Sequence, residues 1–216
     1  MMFKVVLFDL GDTLIKNVKI DLKKGLNCLL KDKNINEQEN QEILYYVYQL
    51  LINRDKEEYP ALKIIEDLNN KYNLGIKNYN EAEYQLLLDS ETSHLNDNVK
   101  DVLDYLKEKN IVMGVVSNSI FSSDALSKAL EKYNIRSYFK FVVASADVLV
   151  RKPYSEIFEY AFNKLKDVKK EEVIFIGDNY KIDYEGSIAY GFQSIQIDEL
   201  GFKEVLRKLK IGLNDE

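Results

Sequence analysis

The chain reads as an α/β protein, a doubly wound parallel sheet interrupted by an all-helical insert. Three observations predict this. Short apolar, β-rich runs alternate with amphipathic stretches through the C-terminal half. The first such run is separated from the others by a stretch from about residue 19 to 91 with almost no strand signal. With 216 residues, 46% of them hydrophobic and 12% aromatic, the chain can bury one large core, or a core with a smaller companion.

Residues 3–8 (FKVVLF) form a run of the kind buried in a parallel sheet, ending abruptly in the polar turn DLGDT. Helical spacing then takes over. Leu44, Val47, Tyr48 and Leu51 fit an apolar stripe, as do Ala61, Ile64, Ile65, Leu68 and Tyr72. Seven of the 15 tyrosines lie in this stretch, where helix-to-helix packing is their commonest use. Cys28, flanked by Leu26, Leu29 and Leu30, reads as a buried thiol rather than a nucleophile. Residues 17–91 are taken as the insert, leaving 1–16 and 92–216 as the α/β core.

After residue 97 the alternation resumes. A helix on Val99, Val102, Leu103 and Leu106 precedes the strand IVMGVV at 111–116, and a helix on Leu126, Ala129, Leu130 and Tyr133 precedes FVVA at 141. A helix on Phe158, Ala161, Phe162 and Leu165 leads to VIFI at 173. The strand SIQI at 194 and a helix on Phe202, Val205, Leu206 and Leu209 finish the chain. Five strands with helical crossovers imply a Rossmann-like sheet, in which ligand-binding groups gather at the carboxyl ends of the strands.

Composition narrows the function. The 30 Lys and Arg against 36 Asp and Glu give a net charge of -6, which argues against nucleic acid or an anionic membrane surface as partner. A single cysteine excludes an intramolecular disulfide. No run approaches the ~18 apolar residues of a membrane span, and a cytoplasmic location is expected. Oligomeric state is left open.

The strand ends carry Asp9, then Ser117 and Asn118, then Gly177 and Asp178, with Asp183 five residues further on and Lys152 and Pro153 between the third and fourth strands. As FDLGDTLI (8–15), VVSNS (115–119), RKP (151–153) and IGDNYKID (176–183), this constellation resembles the haloacid dehalogenase superfamily of hydrolases. The resemblance covers the whole α/β core in motif order, and the helical insert falls where that family places its mobile cap. Hinges are then expected near residues 16–19 and 91–96.

The residues also argue for themselves. Should Asp9, Asp12, Asp178 and Asp183 converge, each like-charge pair at ~4 Å costs about 4 kcal/mol at an effective dielectric near 20, so a cation must neutralise them. An all-oxygen carboxylate set suits Mg2+, which also bridges to substrate phosphate. The resemblance implies that Asp9 is nucleophile and metal ligand, that the Gly11 carbonyl, Asp178 and Asp183 complete the metal site, and that Ser117, Asn118 and Lys152 hold the transferring phosphoryl group. The implied reaction is hydrolysis of a small phosphorylated substrate through an aspartyl-phosphate. Singly, these residues also have structural uses: Asp183 could cap a helix, Asp12 could serve its turn, and Ser117 could be an N-cap. Lys152 is different, because Pro153 fits the first position of a helix and a cation there is unfavourable. His94, the only histidine, reads as a solvated hinge residue.

One departure bears on mechanism. The family's phosphatases carry a second Asp two residues after the nucleophile as general acid; here Gly11 stands there, with Asp12 one place later. Asp12 substitutes only if the glycine lets the turn reorient. Two other readings follow from that gap. One is another reaction of the superfamily, carbon–halogen cleavage or carbon–phosphorus cleavage, the latter using a lysine for which Lys19, Lys23, Lys24 and Lys56 are candidates. The other is a phosphate-binding regulatory protein with weak turnover. Asn17, Arg54, Lys56 and the insert's tyrosines are candidates to touch a ligand, and nothing in the sequence ranks them.

Overall fold

The computed structural model describes residues 3–52 and 55–213. A five-stranded parallel sheet forms the core: β1 (Val5–Phe8), β4 (Val112–Ser117), β5 (Phe141–Ala144), β6 (Val173–Gly177) and β7 (Gln193–Gln196), in the order β5-β4-β1-β6-β7. Between β1 and β4 the chain runs through β2 (Ile15–Ile20), α1 (Leu22–Leu30), α2 (Glu37–Ile52), α3 (Ala61–Tyr72), α4 (Tyr79–Ser90), β3 (Glu91–Leu95) and α5 (Val99–Glu108). The crossovers beyond β4 are α6 (Ser123–Lys132), α7 (Ser145–Val148), α8 (Ser155–Phe162) and α9 (Gly186–Tyr190), and α10 (Gly201–Gly212) closes the fold.

Alternation along β1 builds both layers. Val6 and Phe8 face one side, where α5, α6 and α10 supply Val102, Leu126 and Phe202; Val5 and Leu7 face the other, against Ile157, Phe158 and Ala161 of α8. All four residues of β1 are fully buried, as a central parallel strand requires.

The insert is not purely helical. β2 and β3 pair antiparallel at its base, Ile15 opposite Leu95 and Ile20 opposite Glu91, with an irregularity between Lys16 and Lys19. These are the residues expected as hinges; a two-stranded ribbon occupies them. The sequences IKNVKI and ETSHL are too short and polar to announce strands. The ribbon is anchored where the Asn96 backbone N–H donates to the Leu14 carbonyl and the Asn96 amide to the Thr13 carbonyl, both at 2.9 Å. His94 is exposed on β3.

Above the ribbon α1 lies along α4, Gly25 leaving no room for a side chain: a Cβ there would come within 1.9 Å of Ser90 Oγ. This contact turns Leu26 and Leu30 inward and leaves Cys28 exposed, contrary to the buried thiol expected. Along α2, too, the stripe differs from expectation. Ile43 and Val47 are buried, whereas Tyr48 is 58% exposed, because the outer edge of the stripe borders a cleft instead of a neighbouring helix.

Insert and core are joined away from the ribbon as well. Residues 55–58 lie beside 149–154: the Glu58 N–H donates to the Leu149 carbonyl (3.2 Å), and the Arg151 N–H to the Lys56 carbonyl (2.9 Å). Buried Glu58 accepts hydrogen bonds from Arg151 and Ser145, and Lys56 pairs with Glu156. From α4, buried Glu83 accepts from the N–H (2.7 Å) and hydroxyl (2.6 Å) of Ser122, the N-cap of α6. No helix among the described residues is long and apolar enough to cross a membrane.

Candidate active site

Three adjacent strands, β4, β1 and β6, end side by side and carry Ser117, Asp9 and Asp178 at their carboxyl ends. Asp9 still belongs to the ladder, its N–H donating to the Ile176 carbonyl at 2.9 Å, and is almost wholly buried. After β6 the chain folds into a turn of π-helix, Tyr180–Glu185, which returns Asp183 over the strand end. Asn179 caps that turn by accepting from the Ile182 N–H, while Asp183 Oδ2 accepts from the Asn179 N–H. Gly177 permits this return: a Cβ there would lie 2.5 Å from the Asp183 side chain.

Lys152 lies between two of the carboxylates. Its buried ammonium donates to Asp9 Oδ1 (2.6 Å) and Asp183 Oδ1 (2.7 Å). Pro153 does not open a helix, as had been expected; Lys152 and Pro153, joined by a cis peptide bond, form a turn, and α8 begins at Ser155. The lysine is accounted for by its carboxylate partners, not by its place along a helix. Asn118 fixes this turn, its Oδ1 accepting from the Lys152 N–H (2.7 Å) and its Nδ2 donating to the Lys152 carbonyl (3.0 Å). Thr13 donates to Asp178 Oδ1 at 3.3 Å.

The electrostatics follow from burial and crowding. Burial pushes the Asp9 carboxyl up to about 7; the Lys152 ammonium works against that shift and the Asp183 carboxylate adds to it. Burial opposes the Lys152 ammonium, but the charges of Asp9 and Asp183 more than offset it and hold its pKa above the ordinary lysine value. Asp178 is raised by partial burial and by Asp183. One oxygen from each of Asp9, Asp178 and Asp183 lies within 4.8 Å of the others. Three carboxylates against one ammonium leave excess negative charge in a buried place. An all-oxygen set of this kind fits a hard divalent cation such as Mg2+.

These groups line one cavity of about 220 Å³, together with Gly11 and Ser117. Asp12 does not line it: the residue is exposed, and it is Asp12 (φ 56°), not Gly11, that takes the left-handed conformation in the turn. Glu91, Arg151 and Asn179 do line it and had not been singled out, although each sits within a motif or hinge that had been. Of the lysines considered, Lys23 borders a neighbouring cleft and Lys56 is paired with Glu156. Arg54 and the side chain of Asn17 lie outside the described residues.

A Rossmann-like sheet with an acidic cluster and a lysine at its carboxyl edge, and an insert after the first strand, defines a class of hydrolases. Residues 6–197 match the haloacid dehalogenase-like hydrolases, and the chain belongs to that family. Among curated proteins it is 24% identical over 200 residues to the putative HAD-hydrolase YfnB of Bacillus subtilis, covering 89% of this chain and 83% of that protein. The structure of YfnB bound to magnesium superimposes with a TM-score of 0.57 at 19% identity, over 97% of this chain and 100% of that one. A HAD phosphatase from Thermococcus onnurineus gives 0.63 at 18% identity, over 99% of both chains. A 2-haloacid dehalogenase from Pseudomonas syringae gives 0.59 at 17% identity, over 91% and 86%. At these identities the structural likenesses speak for the fold.

Proposed function

We propose that the protein is a Mg2+-dependent phosphomonoesterase with Asp9 as nucleophile. One observation carries this reading: a lysine able to bind an anion and three carboxylates able to bind a cation converge on the same buried aspartate. Asp9, Asp178, Asp183 and the Gly11 carbonyl would hold Mg2+, which supplies charge neutralisation for the phosphoryl group when bound. Asp9 attacks phosphorus, the new bond from its carboxylate oxygen forming as the ester P–O bond breaks; water then cleaves the aspartyl-phosphate, releasing phosphate and restoring the carboxylate. Lys152, already against Asp9, orients the carboxylate and meets a phosphoryl oxygen, with Ser117 beside it. Asn118 holds the Lys152 backbone through its Oδ1 and one Nδ2–H, and the second N–H of that amide would meet a phosphoryl oxygen.

The departing alkoxide needs a proton. Asp12, the proposed acid, stands outside the cavity in this conformation, so esters with good leaving groups should turn over fastest. Dehalogenation, the activity named for one structural neighbour, has no need of the Asp178 and Asp183 pair. The deciding experiment is phosphate release from p-nitrophenyl phosphate and from alkyl phosphates, with and without Mg2+, by the native protein and by Asp9→Asn and Asp12→Asn. Metal-dependent turnover that Asp9→Asn abolishes, with its circular dichroism unchanged, is expected; turnover surviving in Asp9→Asn sinks the mechanism. An alkyl-to-aryl rate ratio lowered by Asp12→Asn would make Asp12 the acid, and an unchanged ratio would remove it from that role.

A further inference from the structure

Beside the small cavity lies a much larger cleft, about 830 Å³, between α1 and α2 of the insert and the loop after β4. The two share Ile20, Asn118, Ser119 and Arg151, so the cleft opens next to the place where a phosphoryl group would sit. Its walls are Leu22 and Leu26 from α1, Leu44, Val47 and Leu51 from α2, and Ile120 from the core. Ile20, Tyr48 and Ile52 also line it and are 48%, 58% and 53% exposed, large apolar side chains only half covered by the described residues. The charged side chains are largely committed. Asp21 caps α1 by accepting from the Lys24 N–H, and Arg151 is held by Glu58, leaving Lys23.

We infer that this cleft receives the leaving group of the substrate, and that the substrate is a phosphate monoester of a bulky, mainly apolar alcohol. The inference rests on the phosphatase reading of Asp9 and adds the substrate class. The small cavity has room for a phosphoryl group and a metal ion and shares four lining residues with the larger cleft. A short sugar phosphate would leave leucine, valine and isoleucine walls to water, and its hydroxyl groups would depend on the few polar lining side chains, Gln41 and Ser119 among them. An alkyl or aryl group attached to the phosphoryl oxygen reaches the cleft past Ile20 and covers the exposed apolar side chains.

The test pairs binding with turnover. Alkylphosphonates from methyl to hexyl are titrated calorimetrically into the native protein with Mg2+, alongside glucose 6-phosphate and uridine monophosphate, and the matching alkyl phosphates are assayed for phosphate release. The dissociation constant should fall about fourfold for each added methylene, kcat/KM should rise in parallel, and Tyr48→Glu should flatten both series. Affinity that climbs with chain length while neither these alkyl phosphates nor p-nitrophenyl phosphate is turned over keeps the apolar ligand class and sinks the phosphatase reading. Turnover with a flat series, or a sugar phosphate or nucleotide bound more tightly than hexylphosphonate, overturns the inference and leaves the phosphatase reading standing. Absence of both binding and turnover overturns both.

Discussion

The roles proposed for Asp9 conflict with its burial. To attack phosphorus or hold a cation it must be ionised, yet burial pushes its carboxyl up to about 7, which leaves much of it protonated near neutrality. A divalent cation can enter only as that proton leaves. Mg2+ affinity should therefore be level above about pH 7 and weaken about tenfold per unit below it, which isothermal titration at pH 5.5, 6.5 and 8 would read. Gly177 is a second lever at this scale. Its substitution by alanine sets a methyl group 2.5 Å from Asp183, and Gly177→Ala should weaken Mg2+ binding by about tenfold or more with the melting transition retained. The candidate site was legible in the sequence where it is local: that Asp9, Ser117 and Asp178 stand at strand ends follows from the alternation itself. It was not legible where it is tertiary. That Asn118 turns its amide to a backbone 34 residues away, or that Asp12 takes the left-handed conformation and leaves the cavity, depends on how the turns pack.

Elements were read best where both faces or one whole stripe are buried. β1, α5 and α10 follow their predicted apolar positions, because packing leaves those residues no other place. α2 was read least well, since its stripe faces partly into a cleft, and the ribbon of β2 and β3 was missed because its strands gain their place from Thr13, Leu14 and Asn96 rather than from their own pattern. The joint between α4 and α6 makes its own prediction. Burial raises the Glu83 carboxyl, and the Ser122 hydrogen bonds only partly oppose this. The folded protein thus holds the Glu83 proton more tightly than the unfolded chain, so stability is lost as pH rises from the ordinary glutamate value through the raised one. Glu83→Gln removes the titration. The urea midpoint at pH 7 minus that at pH 4.5 should be more positive in that variant than in the native protein; equal differences would show that Glu83 carries no such load.

At the scale of the whole molecule, the parallel sheet of five strands was legible from alternation, whereas the order of those strands and the contacts between insert and core were not, since these contacts join residues about ninety positions apart. Those contacts set a further expectation. With Mg2+ and inorganic phosphate bound, amide hydrogen exchange should slow in residues 55–61 as well as in 149–153; protection confined to the second segment would show the two to be independent. The reason lies in the strip where Glu58 and Lys56 hydrogen-bond to Leu149 and Arg151, one residue from the lysine at the active site. Any movement that lifts the insert must pull on the turn that aims Lys152. By reciprocity, whatever seats the insert strengthens the grip on phosphate by the same factor that phosphate strengthens the seating. On the proposed function, release of phosphate and lifting of the insert are then linked equilibria, each easing the other by the same factor.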